Sequence, residues 1–415
     1  MRISTPTMTQ RGIDGMLDNQ SKLSNVQQQM ASGKRVINPS DDPVAANQML
    51  NLRKSLELTN QYQKNADYAR NRMNIEEKTL ESAGNVLQRV RELVVQANHD
   101  SLNNFDREAV AKEVDERLRE LIGLANARDG AGEYLFSGSK GRTTPFTHTR
   151  EEGYQYNGDE KVRYLQIGPD YRVQQTNSGD SIFMRVGNGN RTFATGYHPE
   201  NAGSGTIDEG RVTSQTDLTR HRYRIDLVES SSGIPDAPPE VRVLDEDRGE
   251  FVVGSDDPPS GMEYSPGMEV NFDGIAVTLS GRPAVGDGFS VRPSTSQSVF
   301  DTVGNIVTSL KANWDNPELR AKSKMDMDNA LQELTNALDN VLDTRAEIGA
   351  RINSVDSQDF VNDAYKLQME ETLSGIEDLD YASATGELNM RMVGLQAAQQ
   401  VYSKVKELSL FNYVR

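Results

Sequence analysis

The chain of 415 residues contains no cysteine. A chain without cysteine cannot form disulfides, cannot use a thiolate nucleophile and cannot hold zinc or an iron–sulfur cluster through sulfur. Its four histidines, His99, His148, His198 and His221, are scattered, and none has a metal-ligand spacing such as HxxxH. We therefore expect neither thiol chemistry nor a histidine-based metal site.

Aromatic residues make up only 6% of the chain and hydrophobic residues 35%, a lean composition for a compact enzyme. The sequence contains no GxSxG motif, no P-loop and no GxGxxG that follows a strand and opens a helix. Asp41 and Asp42 could be read as catalytic carboxylates, but beside Pro43 they are better explained as a helix cap and a first-turn acid. We therefore expect no enzymatic activity.

Long hydrophobic runs and an excess of positive charge are also absent. No run of 18 apolar residues occurs, so we expect no membrane-spanning helix, and residues 1–30 are too polar for a Sec-type signal peptide. Acidic residues outnumber basic ones by 62 to 45, which gives a formal net charge of -17. Because binding to a phosphate backbone depends on Lys and Arg, we expect no nucleic-acid partner.

The sequence does contain heptad patterns near both ends. A helix with an apolar residue every 3.5 positions is soluble only when another helix covers that seam. The cover can come from the opposite terminus or from another copy of the chain. The seam positions are Met16, Asn19, Leu23, Val26 and Met30 near the start, and Leu331, Leu334, Leu338, Val341, Arg345, Ile348, Ile352 and Val355 near the end.

The first helix is followed by a break at residues 32–43. Gly33 and Pro39 end that helix, and Ser40 or Asp41 can cap the second one. The second helix is predicted over residues 44–97. It carries a residue of the same face at every seventh position, namely Leu52, Thr59, Ala66, Met73, Leu80, Leu87 and Val94.

The middle of the chain has a different composition. Residues 151–300 hold 19 of the 33 glycines and 10 of the 15 prolines, and short alternating runs such as 223–228 indicate strands. Residues 245–250 weakly resemble a calcium loop, but Arg248 and the missing final Glu favour an acidic hairpin. If the two ends of this insert lie close together, the chain leaves and re-enters the helical part at neighbouring points. The helices before and after the insert should therefore meet and pair.

These patterns predict a fold that is mainly α with a β insert. The helical part is a discontinuous antiparallel helical bundle or coiled coil built from both termini, and the inserted domain is mainly β.

Four stretches, in this order along the two arms, resemble the bacterial flagellin family. Residues 32–42 resemble its SGxRINxxxDD segment, and residues 87–97 its QRVRELAVQA helix. Residues 345–353 resemble RAxLGAxxNR, and residues 376–382 resemble IEDxDYA. The start at residues 1–5, residues 132–138 and the end at residues 408–413 look more like the junction members of this family than like the filament subunit.

The resemblance implies a structural adaptor of the bacterial flagellum, with no cofactor. Such a protein is secreted by the flagellar type III system, after a cytoplasmic export chaperone has bound its C-terminal region. It then joins the first hook–filament junction protein to flagellin as a helical ring of its own copies. The family's division implies a terminal coiled-coil domain (1–42 and 375–415), a helical rod (43–145 and 300–374) and an inserted β domain (146–299).

If the function lies in interfaces, polar residues should set the register and apolar seam residues should supply the affinity. Arg345, Glu347, Glu377 and Asp378 are the first candidates for setting the register. The full set of candidate assembly residues is Met16, Leu23, Val26, Met30, Arg35, Asn38, Asp41, Asp42, Arg345, Glu347, Arg351, Asn353, Glu377, Asp378, Asp380, Val401, Val405, Leu408 and Leu410.

The sequence is also compatible with two other functions. The chain could be a flagellin filament subunit, which would polymerise into long filaments. Alternatively, the β insert could bind or hydrolyse a glycan, although nothing in its sequence requires it.

Overall fold

The structure of the protein is a computed structural model, and it describes residues 5–99, 101–149, 151, 153–232, 237–256 and 259–407. Its helices fall into two groups, one before and one after a region of strands, as the sequence predicts. The helices are α1 (Thr5–Ser32), α2 (Pro43–Ala97), α3 (Asn104–Ala125), α4 (Val299–Lys311), α5 (Pro317–Glu377) and α6 (Tyr381–Glu407).

The segment between α3 and α4 contains short strands and a π-helical turn, Asp180–Met184. The strands are β1 (Phe146–Thr149), β2 (Gly153–Tyr156), β3 (Tyr164–Gln166), β4 (Arg172–Gln174), β5 (Val186–Gly187), β6 (Phe193–Tyr197), β7 (Ser204–Ile207), β8 (Arg211–Val212), β9 (Tyr223–Val228), β10 (Glu240–Asp245), β11 (Glu250–Val253), β12 (Ser255–Asp256), β13 (Pro259–Ser260), β14 (Met262–Glu263), β15 (Met268–Phe272), β16 (Ile275–Arg282), β17 (Gly288–Pro293) and β18 (Ser296–Gln297).

Two antiparallel sheets form most of this segment. The larger has the order β11-β10-β9-β17-β6 with β14 beside β10, and the smaller has the order β15-β16-β7 with β8 beside β16. Alternate residues of a strand face the same side, so Ile225 and Leu227 of β9 enter one hydrophobic core together with Val277 and Leu279 of β16. The expected mainly-β insert is therefore present. The acidic residues 245–250 form the turn of its β10–β11 hairpin.

The chain divides into two compact units. Unit 1 comprises Met1–Ala66, Ile167–Asp170 and Asp356–Arg415, and unit 2 comprises Asp67–Gln166 and Tyr171–Val355. The three-domain division expected from the family resemblance stays a prediction.

In unit 1, α1 packs antiparallel against α6. The Tyr381 hydroxyl at the start of α6 donates to the Met30 carbonyl near the end of α1, at 3.2 Å. Gly12, near the start of α1, lies beside the Tyr402 ring near the end of α6. The predicted pairing of the two ends of the chain is thus confirmed within one molecule.

This pairing covers the seam of α1 only in part. Val26 is buried, whereas Met16, Leu23 and Met30 are half-buried. On the facing helix, Ala384 is buried. Part of the apolar surface of α1 therefore remains accessible in the single chain.

The seams of α2 and α5 are covered more completely. Of the positions at every seventh residue of α2, all except Leu52 are buried. In unit 2, Gly84 of α2 faces Val341 of α5. The α5 seam alternates between partly covered positions and residues that are at most 1% exposed, namely Leu334, Val341, Ile348 and Val355.

The burial of α2 gives a stability prediction. Leu87 is 0% exposed, so Leu87→Ala leaves a cavity and should lower the free energy of unfolding by about 2–5 kcal/mol. Leu50→Ala is the matched control on the same helix, because Leu50 is 66% exposed, and it should change that energy by less than about 0.5 kcal/mol. Urea denaturation of the dilute monomer, followed by circular dichroism, measures both. Equal losses would contradict the assigned faces of α2.

Candidate assembly site

The connection between α1 and α2 lies against the end of α5. α1 ends at Ser32 and is followed by Gly33, whose φ of 71° lies in the left-handed region that glycine tolerates best. Two residues later, the Arg35 N–H donates to the Glu377 carbonyl at 2.7 Å. We call residues 33–42 together with residues 373–380 the corner.

Glu377 is the central charge of the corner. Its side chain is only 10% exposed and forms ion pairs with Lys34 and with Arg53 of α2, the latter at 2.7 Å. The hydrogen bond from Lys34 is the main reason that the pKa of Glu377 lies below its ordinary value; burial opposes the shift and Arg53 supports it. One carboxylate therefore connects the end of α1, the first half of α2 and the end of α5.

Arg35 makes a second connection across the corner. Its Nε and Nη2 atoms donate to the Ile376 carbonyl at 3.1 and 2.9 Å. Its Nη1 atom lies 3.3 Å from the Asp42 carboxylate. Because a guanidinium is planar and carries several donors, one side chain can hold both partners in a fixed direction.

The cap of α2 lies one residue later than expected. Asp42, and not Ser40 or Asp41, accepts the Ala45 N–H at 3.0 Å. This backbone hydrogen bond is the main cause of the lowered pKa of Asp42. Asp41 instead accepts the N–H of Asn38 at 2.8 Å and closes the turn before the helix.

The two acids after Glu377 also have partners within the chain. The Ser374 hydroxyl donates to Asp378. Asp380 accepts the N–H of Ala382 at 3.0 Å and so caps α6. Their expected role in contacts between subunits stays a prediction.

An apolar cluster packs the corner against the start of α2. Val36, Ala45 and Met49 are buried, and Leu373 and Ile376 of α5 pack against them. Beside this cluster is an open groove of about 520 Å³, which we call the corner groove. Its lining includes Lys34, Ile37, Ala46, Asn47, Leu50 and Arg53.

The candidate residues in the middle of α5 belong to unit 2. Arg345 pairs with Glu77 of α2 at 2.7 Å, and Arg351 pairs with Glu347 at 2.9 Å. Asn353 is exposed. In the single chain, the two arginines thus make internal contacts, and their expected role between copies stays a prediction.

Glu76 is a buried carboxylate that the sequence reasoning missed. Its Oε1 accepts from the Asn177 amide at 2.7 Å, and the Asn177 oxygen accepts from Arg351 at 2.8 Å. Burial raises the pKa of Glu76 to about 7, although this hydrogen bond and the charges of Arg72 and Arg351 oppose the shift. The signal available in the sequence was an acid on the buried stripe of α2, between Met73 and Leu80.

The candidates on the last helix are less enclosed. Val401 is 61% exposed, and Met390 and Val393 are exposed on the same helix. The side chain of Val405, and all of Leu408 and Leu410, lie outside the described residues.

The described parts of the chain contain no group of three or more acidic or histidine side chains that could hold a metal ion. In those same parts, no helix is both long enough and apolar enough to cross a membrane.

Comparison with known proteins connects this architecture to the flagellum. The family model described as the bacterial flagellin N-terminal helical region matches residues 3–141. Flagellar hook-associated protein 3 of Escherichia coli is 23% identical over 99% of both chains, and that of Salmonella typhimurium is 24% identical over 100% of both. A crystal structure of flagellar hook-associated protein 3 from Legionella pneumophila is 28% identical, has a TM-score of 0.74, and is aligned over 78% of this chain and 98% of its own.

The ion pairs of Glu377 give a proteolysis prediction. Glu377→Gln removes the charge that holds Lys34 and Arg53, so trypsin should cleave after Lys34 and Arg35 severalfold faster than in the wild type. Glu370→Gln, an exposed site on the same helix, is the control and should not alter cleavage. Timed digestion with mass spectrometry measures the rates, and unchanged cleavage in Glu377→Gln would contradict the assigned contacts.

The raised pKa of Glu76 predicts how stability depends on pH. Between the ordinary value of 4.5 and about 7, the unfolded chain loses this proton first, so rising pH lowers the free energy of unfolding. The loss is up to about 3 kcal/mol for this group. Glu76→Gln cannot ionise, so its stability relative to the wild type should increase by up to that amount between pH 4 and pH 8.

Urea denaturation at the two pH values measures this change. Glu57→Gln, at an exposed position of α2, is the matched control and should keep a constant difference from the wild type. A constant difference for Glu76→Gln as well would show that folding does not raise the pKa of Glu76.

Proposed function

We propose that this chain is a structural adaptor of the bacterial flagellum that joins the hook-associated ring to the flagellin filament. The observation that carries this proposal is similarity to hook-associated protein 3 along 99–100% of the chain, with the β insert included. The family model for the flagellin N-terminal region, by contrast, matches only residues 3–141.

The proposed function of the adaptor is non-enzymatic and consists of binding other flagellar proteins and further copies of the chain. One side contacts the first hook–filament junction protein, the other contacts flagellin, and copies of the chain contact each other in a helical ring. The half-covered seam of α1 and the exposed apolar residues of α6 supply the apolar surface for these contacts. Arg345, Glu347, Glu377 and Asp378 remain our candidates for setting the register.

The proposed location is outside the cell, between hook and filament. The chain reaches it through the flagellar type III system, after an export chaperone in the cytoplasm has bound the C-terminal region. An exposed apolar helix needs such a cover before assembly, and Val393 and Val401 give α6 that character.

A genetic experiment tests the adaptor function. Deleting the gene in its own host should leave cells with hooks but without attached filaments, and flagellin should accumulate in the medium. A chain truncated after residue 380 should fail to restore the filaments, because α1 then has no α6 to pair with. Electron microscopy of the cells and immunoblots of the medium measure both outcomes, with the Glu57→Gln chain as the control that restores filaments.

Two outcomes would overturn the proposal. Filaments of normal length on cells that carry the truncated chain would mean that the terminal pairing is not needed for attachment. Long filaments formed by the purified chain alone would favour the flagellin filament subunit, the other function open from the sequence.

A further inference from the structure

Unit 1 carries an exposed apolar stripe on α5. Phe360 is 76% exposed and Leu367 is 59% exposed, and Ala364 between them is exposed as well. Residues spaced by three and four share one face of a helix, so these three side chains form one surface. We call them the α5 stripe.

Acidic residues flank the α5 stripe on the same helix face. Asp356, Asp363 and Glu371 are exposed and lie three or four residues from a member of the stripe. Their carboxylates can accept several hydrogen bonds each, so a partner within the chain leaves further sites open. The stripe is therefore an apolar ridge with a negative rim.

The corner groove has the complementary character. Leu50 and Ile37 expose apolar surface to it, while the side chains of Lys34 and Arg53 are about half exposed at its edge. Glu377 balances one of these two cations, which leaves one positive charge in a chain of net charge -17. The groove volume of about 520 Å³ lies within the range of about 300–1,000 Å³ that encloses small-molecule ligands, so it can accept an aromatic side chain.

We propose that the corner groove of one copy binds the α5 stripe of a second copy of this chain. Phe360 enters the groove beside Leu50, and the acidic rim of the stripe faces Lys34 and Arg53. This inference rests on the proposed function, because it names one contact by which the copies form their ring.

The groove and the stripe are separate patches, which determines the geometry of the assembly. Glu377 at the groove follows Phe360 by 17 residues (377 minus 360), or about 25 Å along α5. A contact between two different patches is heterologous, so each copy binds one neighbour through its groove and another through its stripe. Such a contact propagates into a ring or a helix instead of stopping at a symmetric dimer.

The absence of cysteine allows a direct test by disulfide crosslinking. Asn47 lines the groove and Ala364 lies in the stripe, and both are exposed. A chain carrying both Asn47→Cys and Ala364→Cys should give a ladder of crosslinked multimers when flagella isolated from its host are oxidised. Each single variant should give no ladder. Gln96→Cys with Ala364→Cys is the matched control, because Gln96 is an exposed residue of α2 outside the groove.

A second arm uses purified chains, in case the double variant does not assemble in cells. Equimolar Asn47→Cys and Ala364→Cys chains at high concentration should crosslink at least about fivefold faster than Gln96→Cys with Ala364→Cys. Arg53→Glu in the first chain should remove this excess, and Asp363→Arg in the second chain should restore it. Rescue by the reversed charge pair would not occur if either substitution only damaged its own chain.

The outcomes separate this contact from the adaptor function itself. Filaments attached to cells that carry the double-cysteine chain, without a ladder, would overturn the contact and leave the adaptor function standing. Crosslinking in the purified mixture no faster than in the Gln96→Cys control would overturn the contact as well. Loss of the adaptor function is measured independently by the gene deletion.

Discussion

A helix with an apolar residue at every third or fourth position cannot remain alone in water, and this constraint governs both ends of the chain. α1 meets it by pairing with α6, and the seam of α5 meets it by facing α2 in unit 2. Because the partners come from opposite ends of the sequence, the β insert must bring the chain back to where it left the first helices. The discontinuous architecture follows from the need to cover the seams.

Apolar seams stabilise the paired helices but do little to fix their orientation, since burial of apolar surface does not depend on fine geometry. The polar contacts of the corner fix this orientation. Glu377 holds Lys34 and Arg53, and Arg35 holds both the Ile376 carbonyl and Asp42. Charge-assisted hydrogen bonds require defined distances and angles, even where exposure to solvent keeps their contribution to stability small. The corner therefore fixes where α1 turns into α2, while the seams hold the helices together.

The sequence was sufficient for the parts of the fold that depend on local periodicity. Residues at every seventh position of α2 and the seam at 331–355 identified their buried faces, because a helix repeats its faces at a known interval. The composition of residues 151–300 likewise identified the β insert, although not the order of its strands.

Contacts between distant segments could not be read in the same way. Glu76 is buried because Asn177, 101 residues away, covers it, and the corner exists because Arg35 meets the Ile376 carbonyl across 341 residues. Even the cap of α2 was one residue from its expected place. Which of several adjacent acids caps a helix depends on where the preceding turn closes, and here Asp41 is used to close that turn.

The helix seams of the two units differ in how much apolar surface they leave uncovered, and this difference has a thermodynamic reason. In unit 2 the seam residue Val341 is almost fully buried, whereas in unit 1 Met16, Leu23 and Val401 keep accessible surface. A chain that covered every seam internally would retain no apolar surface for its neighbours. A chain that exposed too much would aggregate before reaching them, and a net charge of -17 counters this by mutual repulsion. Assembly must then overcome that repulsion locally, which requires cations such as Lys34 and Arg53 beside the exposed apolar residues.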